Sequence, residues 1–453
     1  MRLDKLKVVS LSLFIALPAL SNAKAPAEEA ARLGKDLTPV GAVRAGNEDG
    51  SIPAWQPAER RGENKGVFPN NPKIDGEKPL FTITAKNLAE YEKFLSEGHK
   101  ELFKRYPDTY KMNIFPSHRF ANFPQKILDE TIKNASRAEL EGVDNPKGAF
   151  LGFPFPIPQS GVEPLWNHRV KWRSPAVRRY NNQMIVQQDG DFTLTRIVED
   201  VKFYYANTEM EDPAELKPGT DFLKYISETL SPPRIAGTYI LVHEKAGFGP
   251  EGRAAWLYAP ALKRIRRAPA VCCDNPYEGT DGHQFYDQVD MYNGVFERFS
   301  WKLLGKREMY IPYNANRIAG NQTKYADIAA PNHVNPDLPR YEKHRVWVVE
   351  AENKPDLRHT FKRRVFYIDE DSWTVVGIDN YDHENKLMQF QEGHLVIYYN
   401  FLVATTQPEV IYHFNSGRYF VTAMINEEEP YDGTVEFNDR DFEPNSIQMK
   451  ASK

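Results

Sequence analysis

Cysteine is nearly absent: Cys272 and Cys273 are the two in 453 residues, and they are adjacent. That excludes a disulfide scaffold. Neighbouring Cα atoms lie about 3.8 Å apart across a trans peptide, below the roughly 4.4–6.8 Å of an ordinary disulfide. The expectation is therefore two unbonded small residues in a loop before Asp274-Asn275-Pro276. No apolar run reaches the roughly 18 residues of a membrane-spanning helix. Gly 27 and Pro 33 are too few and too scattered for a collagen-like or low-complexity chain. Positive charge is not in excess either. Lys and Arg number 58 against 62 Asp and Glu, a formal net charge of −4 that becomes −6 once residues 1–23, with their net +2, are set aside. A general nucleic-acid binder would show a strongly basic balance.

Signatures of common chemistries are missing as well. G-x-S-x-G is absent, which removes the simplest hydrolase reading. Leu304-Gly305-Lys306-Arg307 lacks the upstream glycine and the Ser/Thr of a phosphate-binding loop. Gly247-Phe-Gly249-Pro-Glu-Gly252 matches G-x-G-x-x-G in letters. However, Pro250 sits inside it and strand-like Ala254–Tyr258 follows, so a hairpin turn is expected rather than a strand feeding a helix. No H-E-x-x-H pair exists. His333, His344, His359, His383, His394 and His413 are scattered, and Asp369-Glu-Asp371 and Asp379-Asn-Tyr-Asp382 read as strand-end turns. No catalytic residue, metal site or cofactor is predicted, and the chain is read as a non-enzyme.

What is present is a globular composition, 41% apolar and 12% aromatic. Arg2, Lys5 and Lys7 precede an apolar stretch from Val8 to Leu17, and Ser21-Asn22-Ala23 gives a small-x-small cleavage site. This predicts a signal peptide over 1–23 and a periplasmic protein, peripheral to the outer membrane. An extended N-terminal arm over 24–83 is anchored by Ile52, Trp55 and Phe68, and a helical segment covers 84–175. Its helices are expected over 84–106, capped by Thr84, over 125–140 and over 164–171. From 176 to 453 alternation predicts strands at 182–188, 191–206, 235–245, 254–259, 264–267, 345–351, 363–369, 374–379, 388–399, 410–415 and 419–424. Helices at 213–230 and near 285–293 interrupt them. The predicted fold class is α+β, a long antiparallel meander with helices against it. Its strands carry a heavy aromatic load, which fits either an aromatic core or a lined cavity.

Three segments then carry a resemblance: 37–55 (LTPVGAVRAGNEDGSIPAW), 261–269 (ALKRIRRAP) and 299–314 (FSWKLLGKREMYIPYN). They resemble the bacterial DUF1329 family, and the likeness extends over nearly the whole chain after residue 23. The resemblance implies an architecture similar to LolA/LolB lipoprotein carriers, a strongly curved incomplete barrel whose concave face is covered by helices. Ala255–Pro260 followed by Leu262–Ile265 looks like the carriers' paired strands. It also implies transport of lipid or another hydrophobic molecule, served by an RND-type exporter and an outer-membrane partner. The alternative is a structural or assembly protein of the envelope acting through protein contacts.

For a carrier, alternation nominates Phe203 with Tyr205, Trp256 with Tyr258, Phe366 with Ile368, and Ile397 with Tyr399 as cavity wall. A one-residue slip would move each pair to the other face. Lys302, Lys306 and Arg307, with Arg264, Arg266 and Arg267, form the candidate basic patch for a lipid headgroup or an acidic transporter surface. The first three lie on an expected amphipathic strand that turns at Gly305.

Overall fold

Period-two alternation of β-branched and aromatic residues dominates the second half of the chain, and in the computed structural model it becomes one large sheet. The structure describes residues 24–210, 212, 219–246, 252–268 and 272–451. The signal-like stretch 1–23 and most of the glycine turn at 247–252 lie outside them. The first strands are β1 (Phe81–Ile83), β2 (Met112–Ile114), β3 (Glu139–Glu141), β4 (Asn145–Lys147), β5 (Ala176–Tyr180), β6 (Asn182–Val186), β7 (Phe192–Phe203), β8 (Asp221–Ser231) and β9 (Tyr239–Lys245). There follow β10 (Arg253–Ala259), β11 (Arg264–Ala268), β12 (Phe299–Pro312), β13 (Tyr341–Asn353), β14 (Arg363–Asp369), β15 (Val375–Tyr381), β16 (Leu387–Tyr398), β17 (Val403–His413) and β18 (Arg418–Met424).

Sixteen of these form one mostly antiparallel sheet, in the order β1-β2-β13-β14-β15-β16-β17-β18-β6-β7-β8-β9-β10-β11. β12 also pairs with β13, and β5 with β7. β3 and β4 form a separate ribbon. The large sheet does not close: β1 and β11 end the order without pairing to each other. Among the described residues no helix is long and apolar enough to cross a membrane. Most aromatic residues of the strands are core, with Phe366, Phe390, Tyr398, Tyr412 and Tyr419 all buried in one cluster.

Two predicted helices are corrected. The segment 221–231, read as the end of a helix, is β8; the first part of that prediction, 213–218, lies outside the described residues. Phe222, Tyr225 and Ile226 suit a helical stripe, but β7 and β9 hydrogen-bond both edges of this segment. Apolar cover on both faces then rewards alternation over propensity. Near 285–293 only the 3₁₀ turn Tyr286–Gln288 forms.

In the first half, the predicted helix 84–106 is divided. Leu95 is extended, and Ser96 caps Glu97–Arg105 by accepting from the His99 N–H at 3.1 Å. Thr84 instead donates its N–H to Asn87 at 2.7 Å. The other two helices are Gln125–Arg137 and Glu163–Arg169.

Gly305 is not a turn. It is a bulge in β12, at φ 99°, where the register against β13 shifts after Leu303. The two cysteines are not free thiols but are bonded to each other. The chain turns through φ 65° at Cys273, which allows the loop to seat the pair.

Candidate functional site

β7 to β10 present one apolar face to the loop that follows β11. Register fixes this face. Phe203, Leu223, Glu244 and Arg253 lie in one row across four strands, and Val201, Tyr225, Val242 and Ala255 lie in the next. Between this face and Tyr277, Tyr286, Val289, Asp290 and Asn293 of the loop is a cavity of about 110 Å³, also lined by Ile240, Arg173 and Arg179. It is large enough for a small apolar group or the end of a chain, being somewhat smaller than a cavity that holds benzene, roughly 150 Å³.

The polar end of the cavity is charged, with Lys171, Arg173 and Glu244 buried and Asp290, Arg179 and Arg253 half-buried. Asp290 accepts from Lys171 Nζ at 2.8 Å and from the Arg173 guanidinium. Arg179 pairs with Glu199 at 2.8 Å, and Glu244 accepts from Arg253 at 2.9 Å and from Arg169. Arg173 donates to Tyr205 Oη at 2.9 Å, yet its buried Nε has no partner in the protein. On a residue that lines the cavity, such a buried N–H is available to an acceptor.

Behind this end lies a proton-rich cluster. His168 donates through Nε2 to the Asp290 carbonyl at 2.8 Å and accepts at Nδ1 from the Val375 N–H at 3.1 Å. Burial, reinforced by the charge of Lys171, lowers its pKa to about 3, so the ring is neutral. Burial, then the Asp290 charge, pushes the Glu409 carboxyl up to about 7 from 4.5.

Between about 4.5 and 7 the folded state keeps the Glu409 proton that the unfolded chain has lost. This stabilisation is complete below pH 4.5 and vanishes as the pH rises through 7. Glu409→Gln removes the loss, so the variant gains on the wild type between pH 5 and pH 8 by on the order of 1–3 kcal/mol. Chemical denaturation at the two pH values checks this. A wild-type-to-variant difference that does not move with pH would mean that Glu409 holds no such proton.

The residues nominated from sequence fall in different places. Phe203 lines the cavity, and Tyr205, in the turn that follows β7, is buried beside it at 5.6 Å between ring centroids. Trp256 and Tyr258 are corrected. They face the other side of the sheet, packed with Ile226, Tyr239 and Leu241 against Phe442 and Ile447 of the C-terminal segment. Their neighbours Ala255 and Leu257 look toward the loop, packed with Tyr277 and Tyr286. Phe366 and Ile368 are fully buried core, with Tyr292 against Phe366 at 5.2 Å, and they are not among the residues lining the β7–β10 cavity.

Ile397 and Tyr399 lie beneath the arm. They line a second hollow of about 310 Å³ with Val67, Phe68 and Pro72, and Asn71 donates to Tyr399 Oη at 2.9 Å. An adjoining hollow of about 390 Å³ is walled by Glu59, Arg60, Arg61 and Lys73. Both are larger than the β7–β10 cavity, but the arm forms one side of each. Of these three hollows, the β7–β10 cavity combines a continuous apolar strand face with converging charges, of which Arg173 and Glu244 are buried.

The basic residues divide similarly. Lys306 is held by Glu370 at 2.8 Å, and Arg307 donates to the Lys93 and Leu95 carbonyls at 3.0 Å. Lys302 is exposed, as are Arg264, Arg266 and Arg267 on the edge strand β11. Strand pairing sets β11 and β12 toward opposite ends of the sheet, so it does not join the two groups. Sequence reasoning missed Leu223, Tyr225, Ile240 and Val242. The alternation Ile240-x-Val242 was available as a signal, whereas the helical reading concealed Leu223 and Tyr225.

Comparison with known proteins adds the following. A Pseudomonas aeruginosa protein, uncharacterized protein PA3922, is 40% identical over 431 residues, 94% of each chain. A DUF1329 family protein of Desulfovibrio piger is similar in structure at 14% identity and TM-score 0.41, over 62% of this chain and 93% of that one. A LolA superfamily protein of Nitrosomonas europaea is similar at 11% identity and TM-score 0.38, over 64% of this chain and all (100%) of that one. Residues 82–448 match the family described as protein of unknown function (DUF1329). With the match running from β1 to residue 448 and a relative aligned over almost its full length, the chain belongs to the DUF1329 family.

Proposed function

We propose that this protein binds a lipid or another hydrophobic molecule in the periplasm and carries it for an RND-type export system toward an outer-membrane partner. The observation that carries this reading is the apolar face of β7–β10, built from Val201, Phe203, Leu223, Ile240 and Val242, with the Arg173 donor at its polar end. Under this reading the open sheet bends into an incomplete barrel whose concave face the helices cover. An apolar end group enters the cavity, and each buried CH₂ contributes about 0.8 kcal/mol. A longer chain extends as the loop 277–293 shifts. No step requires a reacting group.

The test uses the exported full-length protein. Native mass spectrometry with lipid extraction is expected to show a co-purifying apolar molecule, and an environment-sensitive apolar dye is expected to compete with it. Val242→Trp fills the cavity and should weaken dye binding at least tenfold, about 1.4 kcal/mol, at an overpacking cost of roughly 1–3 kcal/mol in stability. Trp256→Ala, on the opposite face, should cost stability and leave dye binding unchanged. Absence of any bound molecule, with Val242→Trp binding dye as the wild type does, would sink the carrier reading and favour an envelope assembly protein.

A further inference from the structure

Away from the cavity, the pairing of β13 with β14 brings together side chains that are far apart in sequence. His344 of β13 meets Asp369, at the end of β14, and Asp371 of the following turn. One ligand atom from each lies within 4.8 Å of the others, and all three residues are buried. An ion with bonds of roughly 2.0–2.4 Å spans such a set with small side-chain adjustments.

The hydrogen bonds around the trio define which atoms are available. Glu342 accepts from Arg340 at 2.6 Å, from Asn314 at 3.0 Å and from the His118 N–H at 2.8 Å. With its oxygens acting as acceptors, the His344 Nε2 lying 3.0 Å away is the one that carries hydrogen. His344 Nδ1 is then a bare lone pair, buried and without a partner. This carboxylate–imidazole arrangement is the one that orients metal-binding histidines. Asp369 uses Oδ2 to accept from the Ser372 N–H at 2.9 Å and hydroxyl at 2.6 Å, while its buried Oδ1 has no partner. Among the described residues no cation pairs with Asp369. Asp371 is fixed by Arg119 at 2.7 and 2.8 Å and retains lone pairs for a further partner. Tyr313, stacked on His344 at 3.9 Å, adds a buried hydroxyl that also has no partner.

From these three side chains and their two unpartnered buried atoms, we propose that His344, Asp369 and Asp371 bind one divalent first-row transition-metal ion of zinc type. One imidazole nitrogen with two carboxylates suits such an ion better than magnesium or calcium. Its place in the fold gives it a structural role. The turn 369–373 is covered by the arm, which donates the Val43 N–H to Glu370 at 3.3 Å and accepts at the Val40 carbonyl from Trp373 Nε1 at 2.9 Å. An ion there pins the turn to β13 and holds the seat of the arm.

Elemental analysis of the full-length chain, exported in zinc-supplemented medium and purified without a metal-binding tag, is expected to give about one zinc per chain. After chelation and refolding, added Zn²⁺ should raise the melting midpoint of the wild type by several degrees, as binding to the folded state requires. Asp369→Asn, close to isosteric, and His344→Gln should each weaken Zn²⁺ binding at least tenfold and abolish the melting shift. If His344→Gln does not fold, Asp369→Asn and the wild-type titration still decide. A metal-free wild type whose melting is unmoved by Zn²⁺, Mn²⁺ and Co²⁺ overturns the proposal and leaves a proton shared within the trio. So does an Asp369→Asn variant that binds zinc as tightly as the wild type.

Discussion

Replacing Arg119 with methionine is expected to destabilise the protein by about 3–5 kcal/mol and to free the N-terminal arm. Arg119 is 1% exposed, and its guanidinium bridges the arm and the turn that follows β14. Its guanidinium donates to both oxygens of Asp371 at 2.7 and 2.8 Å and to Glu370 at 3.3 Å. It also donates to the arm carbonyls of Val43 at 2.7 Å, Pro53 at 3.2 Å and Ala45 at 3.3 Å. Methionine fills much of the same volume, so the loss is mainly electrostatic. Buried Asp371 loses both of its arginine hydrogen bonds and the Pro53 carbonyl loses this donor, while Glu370 keeps Lys306 and Arg345. Urea unfolding monitored by tryptophan fluorescence gives the free energy, and limited proteolysis reports the arm. Cleavage within residues 44–60 should precede cleavage of the sheet in Arg119→Met and not in the wild type. A loss below 1 kcal/mol, with an unchanged digestion pattern, would show that the arm is held by its apolar anchors instead.

The arm illustrates what was legible in the sequence. The anchor Ile52, which is fully buried, was legible as an isolated apolar residue in a stretch without periodicity, while Trp55 and Phe68 are only half-buried. Arg119 gave no signal, because a buried arginine is recognisable only through acceptors supplied by residues 43–53 and 370–371. Strands such as β14 and β18 were legible because enrichment in β-branched and aromatic residues within a short window is a local property. Which face looked inward was not local. Trp256 and Leu257 alternate equally well, and the C-terminal segment covering Trp256 lies nearly two hundred residues away in sequence. The same limit applies to the trio of His344, Asp369 and Asp371. Asp369 and Asp371 could be read as a strand-end turn, but only the β13–β14 register adds the histidine. For the cavity, Phe203 was found by its aromatic character. Leu223 and Tyr225 were lost because β8 has a sequence that satisfies both periods, and the neighbouring strands decide between them.

The loop that closes the cavity depends on a second buried arginine, and here stability and ligand binding should change together. Arg364 is fully buried and donates to Asp287 at 2.6 Å, to Asn380 at 2.8 Å and to Gln391 at 3.1 Å. The rings of Tyr292, Phe361 and Phe366 surround its guanidinium at 5.0–5.4 Å. Asp287 sits on the loop between the cavity residues Tyr286 and Val289, so this ion pair ties the closing loop to β14. Burial acts to raise the Asp287 pKa and the Arg364 charge outweighs it, which keeps the carboxyl ionised and below its ordinary range. Arg364→Met strands that charge, leaving His359 at 3.1 Å as its side-chain partner among the described residues. The expected cost is about 3–5 kcal/mol in urea unfolding, with a dye release rate at least tenfold faster than in the wild type. Asp287→Asn in the Arg364→Met background removes the stranded charge while keeping an acceptor for His359. The double variant should therefore be less destabilised than the two single variants added together, by about 2 kcal/mol or more. Additive costs would mean that the pair does not act as a unit. Destabilisation with unchanged dye release would mean that the loop is held over the cavity by its other contacts, and that Arg364 serves the core alone.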